Sequence, residues 1–264
     1  MVTSMHAALI TGGTAGIGAA FARAFAARGV DLVLVARNRA RLEEFAADLR
    51  ASTGIDVETI VADLSDRAAQ AEVAARIESP GSGRPIDILV SNAGFSVRSS
   101  LLDPDLRQHD RGFEVMQRAV LVLGGAAARA MSLRGRGWII NVCSVSAGLT
   151  QSNYTAIKAW AQNYSESLSV QTAGTGVQVT ALVPGWVRTE FHSRAGIAGT
   201  SIPDLLWLDP DDLVEECLRD VARGRTVSVP QLRWKVIVSA LRAAPRPVIH
   251  RLSHLLTSRR NRES

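Results

Sequence analysis

Tyr154 and Lys158 stand four residues apart in Tyr154-Thr155-Ala156-Ile157-Lys158, the spacing that brings two side chains to one face of a helix. The chemistry such a pair offers is proton transfer. A cation beside a phenol stabilises phenolate and draws the tyrosine pKa down from about 10 toward the working range of a general acid. The chain has 2 tyrosines, and of its 30 basic residues only Lys158 and Lys235 are lysine. In so arginine-rich a chain a solvated position would more readily hold arginine, so this lysine points to chemistry rather than to a surface charge beside a packed ring. Ser144, in Asn141-Val142-Cys143-Ser144, follows a strand-like run and falls at the strand-end edge where open α/β sheets bind ligands.

A second constellation lies near the start. Ala7-Ala8-Leu9-Ile10 runs into Thr11-Gly12-Gly13-Thr14-Ala15-Gly16-Ile17-Gly18, and a helical pattern follows. Glycines let the backbone turn sharply and approach a pyrophosphate, and the helix N-terminus offers N–H groups to the anion. The bland reading, a plain strand-to-helix turn, is weakened by this context. The next strand-like run ends Leu34-Val35-Ala36-Arg37. No carboxylate is present there to grip a ribose 2′-hydroxyl, whereas Arg37, with Arg39 or Arg41 in support, suits a 2′-phosphate. The cofactor read from these residues is NADP(H) rather than NAD. Ala62-Asp63-Leu64 follows the third run and Asn92-Ala93-Gly94 the fourth.

The Thr-Gly-x-x-x-Gly-Ile-Gly turn, the Asn-Ala-Gly turn and the Ser144, Tyr154, Lys158 set resemble the short-chain dehydrogenase/reductase family over about residues 5–230. The resemblance implies that Tyr154 protonates a carbonyl oxygen as hydride arrives from a nicotinamide. It implies that Ser144 hydrogen-bonds the same carbonyl, and that Lys158 holds the nicotinamide ribose and tunes Tyr154. Cofactor contacts carried over are Gly12, Thr14, Gly16, Ile17, Gly18, Arg37, Asp63 beside the adenine, Leu64, Asn92, Ala93, Gly94, Tyr154 and Lys158. Pro184-Gly185-Trp186-Val187-Arg188-Thr189 resembles the carboxamide-placing segment, with Pro184, Gly185, Val187 and Thr189 as contacts. Two departures stand out. Met116 occupies the place of an asparagine that supports a proton relay in many members, with Gln117 the only amide nearby. Nine residues separate Ser144 from Tyr154, about three fewer than is usual, so one wall of the pocket is reshaped and Ser146 becomes a possible stand-in for Ser144.

Positioning these groups requires strands at 7–10, 31–36, 57–61, 86–91, 138–142, 177–183 and 226–229. Helices are expected at 17–28, 39–52, 65–78, 110–133, 154–173 and 210–223, on apolar runs alternating with helical periods. Runs apolar on both faces and separated by helices predict an α/β fold, a three-layer Rossmann-type doubly wound parallel sheet. Residues 1–232 form the catalytic domain, with a lid at about 188–209. Phe191, Leu205, Leu206 and Trp207 of that lid suit a hydrophobic ketone, or simply pack onto the core, and His192 reads as a lid residue rather than a base. The lid segments also resemble actinobacterial family members that reduce 3-oxoacyl and mycolate-precursor ketones.

Charge is uneven. Residues 233–264 carry eight basic residues and one acidic, so the whole positive balance of +5 sits there. A nucleic-acid groove across the domain is therefore not expected. Val248, Ile249, Leu252, Leu255 and Leu256 fall on one helical face of this basic extension, which fits either an anionic membrane surface or docking on its own domain or another subunit. Cys143 and Cys217 are too few for a disulfide framework or a zinc site, and no metal site is expected. Met1–His6 resembles no signal peptide, so the expected location is cytoplasmic, with peripheral contact at the inner membrane face open. Family members often form homo-oligomers through helices like 110–133 and 154–173. The expected activity is NADPH-dependent reduction of a 3-oxoacyl or other hydrophobic ketone. Alternatives are alcohol oxidation, or cofactor binding with little turnover.

Overall fold

The computed structural model describes residues 5–79, 81, 83–190 and 203–263, with side chains described as far as Leu256. Strands β1 (Ala7–Thr11), β2 (Asp31–Ala36), β3 (Val57–Val61), β4 (Ile86–Ser91), β5 (Gly137–Val142), β6 (Val177–Leu182) and, later, β9 (Val227–Ser228) form one parallel sheet. Its order is β3-β2-β1-β4-β5-β6-β9. Between β6 and β9 a two-stranded ribbon pairs β7 (Trp186–Val187) with β8 (Trp207–Leu208). The strand order reverses between β1 and β4, the switch point at which such sheets open a crevice.

Alternation decides which side chain meets which helical layer. Ala8 and Ile10 of β1, with Leu32 and Leu34 of β2, pack in one core with Phe21 and Phe25 of α1 (Gly16–Ala26), Leu42 of α2 (Arg39–Thr53) and Leu213 of α7 (Pro210–Ala222). Leu9, Val33 and Val35 point the other way. They meet Val73 and Ile77 of α3 (Arg67–Glu78), Leu123 and Met131 of α5 (Ala119–Arg134) and Ile157 of α6 (Asn153–Gln171). Each fully buried Leu, Ile or Phe contributes roughly 1.5–3 kcal/mol, so both faces are needed and the sheet is shielded on each side.

Helix starts are set by polar side chains. Asn38 caps α2, Asp66 caps α3, Asp209 caps α7 ahead of Pro210, and Ser152 with Thr155 forms a reciprocal capping box on α6. Each satisfies N–H groups that a helix leaves without partners. At α1 the N-cap position is Ala15, which offers no side-chain hydrogen bond.

The structure departs from the sequence expectations in three places. The single helix expected at 110–133 begins earlier and is broken. α4 (Arg107–Phe113) leads into a wider π turn at Glu114–Arg118, where the Ala119 N–H reaches back to Glu114 O, and α5 continues from there. Gln70, fully buried, donates to the Glu114 and Leu64 carbonyls at 3.1 and 2.9 Å and braces the break. The last strand shrinks to β9, two residues. The tail forms two helices, α8 (Leu232–Ala243) and α9 (Arg246–Glu263). The face expected to be apolar on α9 is split: Ile249 and Ser253 are buried against the fold, while Val248, Leu255 and Leu256 are 51%, 61% and 40% exposed.

α8 is joined to the core through Trp234, which is buried in the same cluster as Leu208 and Leu213. Trp234→Ala should therefore cost about 3–5 kcal/mol of unfolding free energy through the cavity it leaves, measured by urea denaturation. A loss under about 1 kcal/mol would mean that the helix is not part of the cooperative unit.

Candidate active site

All strands of a parallel sheet end on one edge, and here the registers align those ends. Thr11 pairs with Val35, Ser91 with Asn141, and Val142 with Leu182. Consequently Gly12, Arg37, Asp63, Asn92, Ser144 and Pro184 all emerge along one rim, although they lie far apart in the chain.

The glycine turn is built by close approach. Gly12 and Gly16 have φ of +66° and +51°, a region that disfavours side chains. A Cβ on Gly18 would stand 2.3 Å from Gly12 O and 2.5 Å from Asn92 Nδ2. Asn92 is the clamp across the switch point. Its amide donates to Thr11 O at 2.9 Å and Gly12 O at 3.1 Å, while Thr11 Oγ1 accepts from the Asn92 and Ala93 N–H groups at 3.0 and 3.1 Å. The Asn92 side chain thus shapes the turn from behind. Ile17 and Ala93 are partly buried, packed against the two cores. With no side-chain cap and no acidic residue in its first turn, α1 presents its positive end to the rim, a fit for a pyrophosphate.

Arg37 lies beside this turn with its side chain 61% exposed and its Nη1 3.9 Å from Asp63 Oδ2. Arg41 is not available as its helper. It grips Glu190 at 2.6 and 2.9 Å and donates to Thr14 O at 3.2 Å, bracing the turn itself. Arg39 lines a cleft beside β3 with Thr59 and Val61. Asp63 accepts from the Ser65 N–H and hydroxyl at 2.9 and 2.8 Å and from Arg111 at 3.2 Å. Burial works to raise the Asp63 pKa, but those hydrogen bonds and the Arg111 and Arg37 charges outweigh it and hold the carboxyl below its usual value. Leu64 is core, 5% exposed. Arg111, which also lies 5.6 Å from the Phe95 ring centroid, carried no sequence signal, since only the fold brings it to Asp63.

Ser144, Tyr154 and Lys158 converge at the β5 end. The Ser144 hydroxyl lies where it works to lower the Tyr154 pKa. Ser144 Oγ in turn accepts from the Ser146 hydroxyl at 2.9 Å and from the Ser146 N–H at 3.2 Å, so Ser146 orients Ser144 rather than replacing it. Lys158, 6% exposed, donates to Val142 O at 2.8 Å and stands 5.7 Å from the centroid of the Tyr154 ring. The expected lowering of the tyrosine pKa is reversed. Desolvation pushes the Tyr154 phenol above its ordinary value despite the Ser144 hydroxyl, and burial pushes the Lys158 ammonium down. The reason is burial, which disfavours the charged form of each group, while Lys158 commits one N–H to Val142 O.

Met116, 1% exposed, sits on the π turn and fills the space against Gly94, where a Cβ would meet its Sδ at 3.2 Å. Gln117 is half-buried on the adjoining position. A thioether donates no proton, so the side chain at 116 cannot do what an asparagine amide would.

The segment after β6 crosses back over the glycine turn. A Cβ on Gly16 would meet Thr189 Cγ2 at 2.9 Å, and Pro184 O accepts from the Val145 N–H at 3.0 Å. Gly185 lies flat against the Trp234 indole, 1.9 Å from where a Cβ would stand. Val187 is buried in β7, which holds the lid's base against β8. Trp186 and Trp207 are 6.1 Å apart, and Arg188 caps Trp207 while pairing with Asp204 at 2.7 Å. Phe191 and His192 lie outside the described residues. Among the described residues no cluster of three or more His, Cys, Asp or Glu could hold a metal ion.

Comparisons with known proteins agree with this geometry. A model of the short chain dehydrogenase family matches residues 6–197. Gluconate 5-dehydrogenase from Gluconobacter oxydans is 35% identical over 240 residues, spanning 90% of this chain and 88% of that one. Among solved structures, a short-chain dehydrogenase from Sphingobium yanoikuyae in complex with NADPH superposes with a TM-score of 0.81 at 34% identity, covering 89% of this chain and 93% of that one. A bulky-bulky ketone specific alcohol dehydrogenase from Comamonas testosteroni gives 0.77 at 29% identity, covering 92% and 96%. A rim that gathers a glycine turn, an Asn-Ala-Gly clamp and a Ser–Tyr–Lys set, on a chain matched over most of its length, places this protein in the short-chain dehydrogenase/reductase family of oxidoreductases acting on CH–OH and C=O groups.

Proposed function

We propose that this protein reduces a bulky, hydrophobic ketone to a secondary alcohol with NADPH, a 3-oxoacyl chain being the substrate class that the resemblance of its lid segments implies. The observation that carries the reading is the convergence of Ser144, Tyr154 and Lys158 at the end of β5, with Lys158 held on Val142 O 5.7 Å from the Tyr154 ring centroid. The buried phenol is protonated at neutral pH, the form from which a proton can pass to a carbonyl oxygen.

NADPH supplies the hydride when bound. Gly12, Thr14, Gly16, Ile17 and Gly18 would hold its pyrophosphate against α1, and Arg37 its 2′-phosphate. Asp63, Leu64, Ala93 and Gly94 would border the adenine side, Asn92 setting the turn between them. Lys158, with two N–H groups left after its bond to Val142 O, would hold the nicotinamide ribose. Pro184, Gly185, Val187 and Thr189 would place the carboxamide. Ser144, oriented by Ser146, donates to the carbonyl oxygen and fixes its position. Tyr154 then passes its proton to that oxygen as the carbon accepts hydride, giving a neutral alcohol.

Two dehydrogenase names frame the substrate question. The first, gluconate 5-dehydrogenase, names a sugar acid, and the second names bulky-bulky ketones. Leu206, Trp186 and Trp207 around the lid base favour the latter, since apolar walls recognise apolar substituents. A cofactor-binding protein with little turnover is the rival of another class, and Met116 on the π turn is what favours it.

The tail and the long helices suggest partners. Val248, Leu255 and Leu256 are exposed on a helix rich in arginine, which supports peripheral contact with an anionic membrane, and no helix of the described residues is long and apolar enough to cross one. Exposed Leu121 and the stacked Trp160–Tyr164 pair on α5 and α6 support a homo-oligomer through those helices.

An NADPH-oxidation assay over 3-oxoacyl thioesters, bulky ketones and, in reverse, gluconate decides the class. Tight NADPH binding without turnover on any of them would defeat the reductase reading. Tyr154→Phe should lower kcat by about 10²–10⁴-fold with the NADPH Kd unchanged in fluorescence titration. Arg37→Ala should weaken NADPH roughly 10- to 100-fold, as loss of a charge-assisted contact does, and NADH hardly at all. Equal losses for both would remove the 2′-phosphate contact. Val248→Asp with Leu255→Asp, both at exposed positions, should abolish co-sedimentation with phosphatidylserine vesicles while leaving turnover intact.

A further inference from the structure

The helix pair 232–263 touches both loops that flank the Ser–Tyr–Lys set. Ser253 of α9, only 2% exposed, accepts from the Thr150 N–H at 3.0 Å and from the Thr150 hydroxyl at 3.3 Å. Thr150 belongs to the nine-residue connection between Ser144 and Tyr154. On the same connection, Gly148 faces Leu241 of α8, whose Cβ would lie 3.7 Å from a Cβ placed there. Between α6 and α8 lies a cleft of about 270 Å³, walled by Ala159, Gln162 and Glu166 of α6, Val238 and Leu241 of α8, and Val145 and Gly148 of the connection, that reaches Ser144 from behind. At its other end α8 seats Trp234 against Gly185, and the two loops are tied directly by the Val145 N–H to Pro184 O bond.

The connection needs such a hold. Its own secondary structure is one 3₁₀ turn, Val145–Gly148, capped by Ser144, and Leu149–Gln151 form no helix or strand. A loop with few buried contacts opens locally at low cost, yet this one sets the distance between Ser144 and Tyr154, and misplacement of about 1 Å at a reacting centre is costly.

We propose that the C-terminal helix pair braces the loops that flank the active site, and that Ser253, through Thr150, is a positioning residue that fixes the Ser144–Tyr154 connection and thereby limits the size of ketone accepted. The inference rests on the reductase reading for its substrate and on the Ser253–Thr150 contact for its mechanism. The connection has one 3₁₀ turn of its own, and the tail adds the hold at Thr150. Ser253 touches no reacting atom. Its effect is on the shape of the pocket.

The test uses the full chain with NADPH bound. Ser253→Ala should speed hydrogen exchange of the Thr150 amide and its neighbours at 145–152 about 10-fold, as loss of one buried hydrogen bond allows. It should also shift the ratio of kcat/KM between a bulky and a small ketone about 5-fold, with the NADPH Kd unchanged, and Ser253→Thr should restore both. Thr150→Val, at an exposed site, should give a smaller shift in the same direction. Unchanged exchange in Ser253→Ala would overturn the proposal, and so would faster exchange with an unchanged bulky-to-small ratio. Wild-type protein that turns over no ketone would remove the reductase reading, and exchange at 145–152 alone would then decide whether the tail holds the connection.

Discussion

The two hydrogens of the Asn92 amide, donated to Thr11 O and Gly12 O, join the two central strands where the strand order reverses. Everything at the rim is measured from that junction. It holds the glycine turn close enough to β4 that Gly18 has no room for a Cβ, and it leaves the N-terminus of α1 facing outward. The parallel registers then carry the alignment sideways, to Ser144 after β5 and to Pro184 after β6. Because the core on each face is packed from alternate residues of the same strands, slipping a strand by one residue would send each of its side chains to the opposite layer. The strand ends beneath the rim are therefore fixed in register by the core.

On that rim the chemistry is governed by burial more than by charge pairing. Lys158 is buried with one N–H committed to Val142 O, and its ammonium is easier to deprotonate than in water. Tyr154 is harder to deprotonate. The two shifts have one cause, since a low-dielectric setting disfavours the charged form of either group. Cys143, also buried, is pushed up to about 12 and stays a thiol. The site thus holds a neutral acid beside a serine already oriented by its neighbour Ser146.

Much of this was legible in the sequence because the fold is built from strong local patterns. Apolar runs and helical periods placed the main strands and helices to within a few residues, and the Tyr154 and Lys158 spacing put the pair on one face. Other features were not legible. The π turn at Glu114–Arg118 depends on Gln70 reaching across from α3 to brace a freed carbonyl, a contact with no local signature. The reassignment of Arg41 to Glu190, and the arrival of Arg111 at Asp63, are pairings over 149 and 48 positions. The tail's helical period was visible, but which side of α9 is buried was not, since that depends on where Thr150 lies.

The sequence by itself determined the class of chemistry: a phenol and an ammonium four apart, a glycine turn opening a helix, and an arginine where a 2′-hydroxyl partner would otherwise stand. Those are decisions of residue type and short spacing, which local geometry converts directly into shared faces and sharp turns. Only the tertiary structure decided the electrostatic state of the pair, the company kept by each arginine, and the seating of the C-terminal helices against Gly185 and Thr150. These depend on desolvation and on contacts between distant segments, and neither exists until the chain is packed.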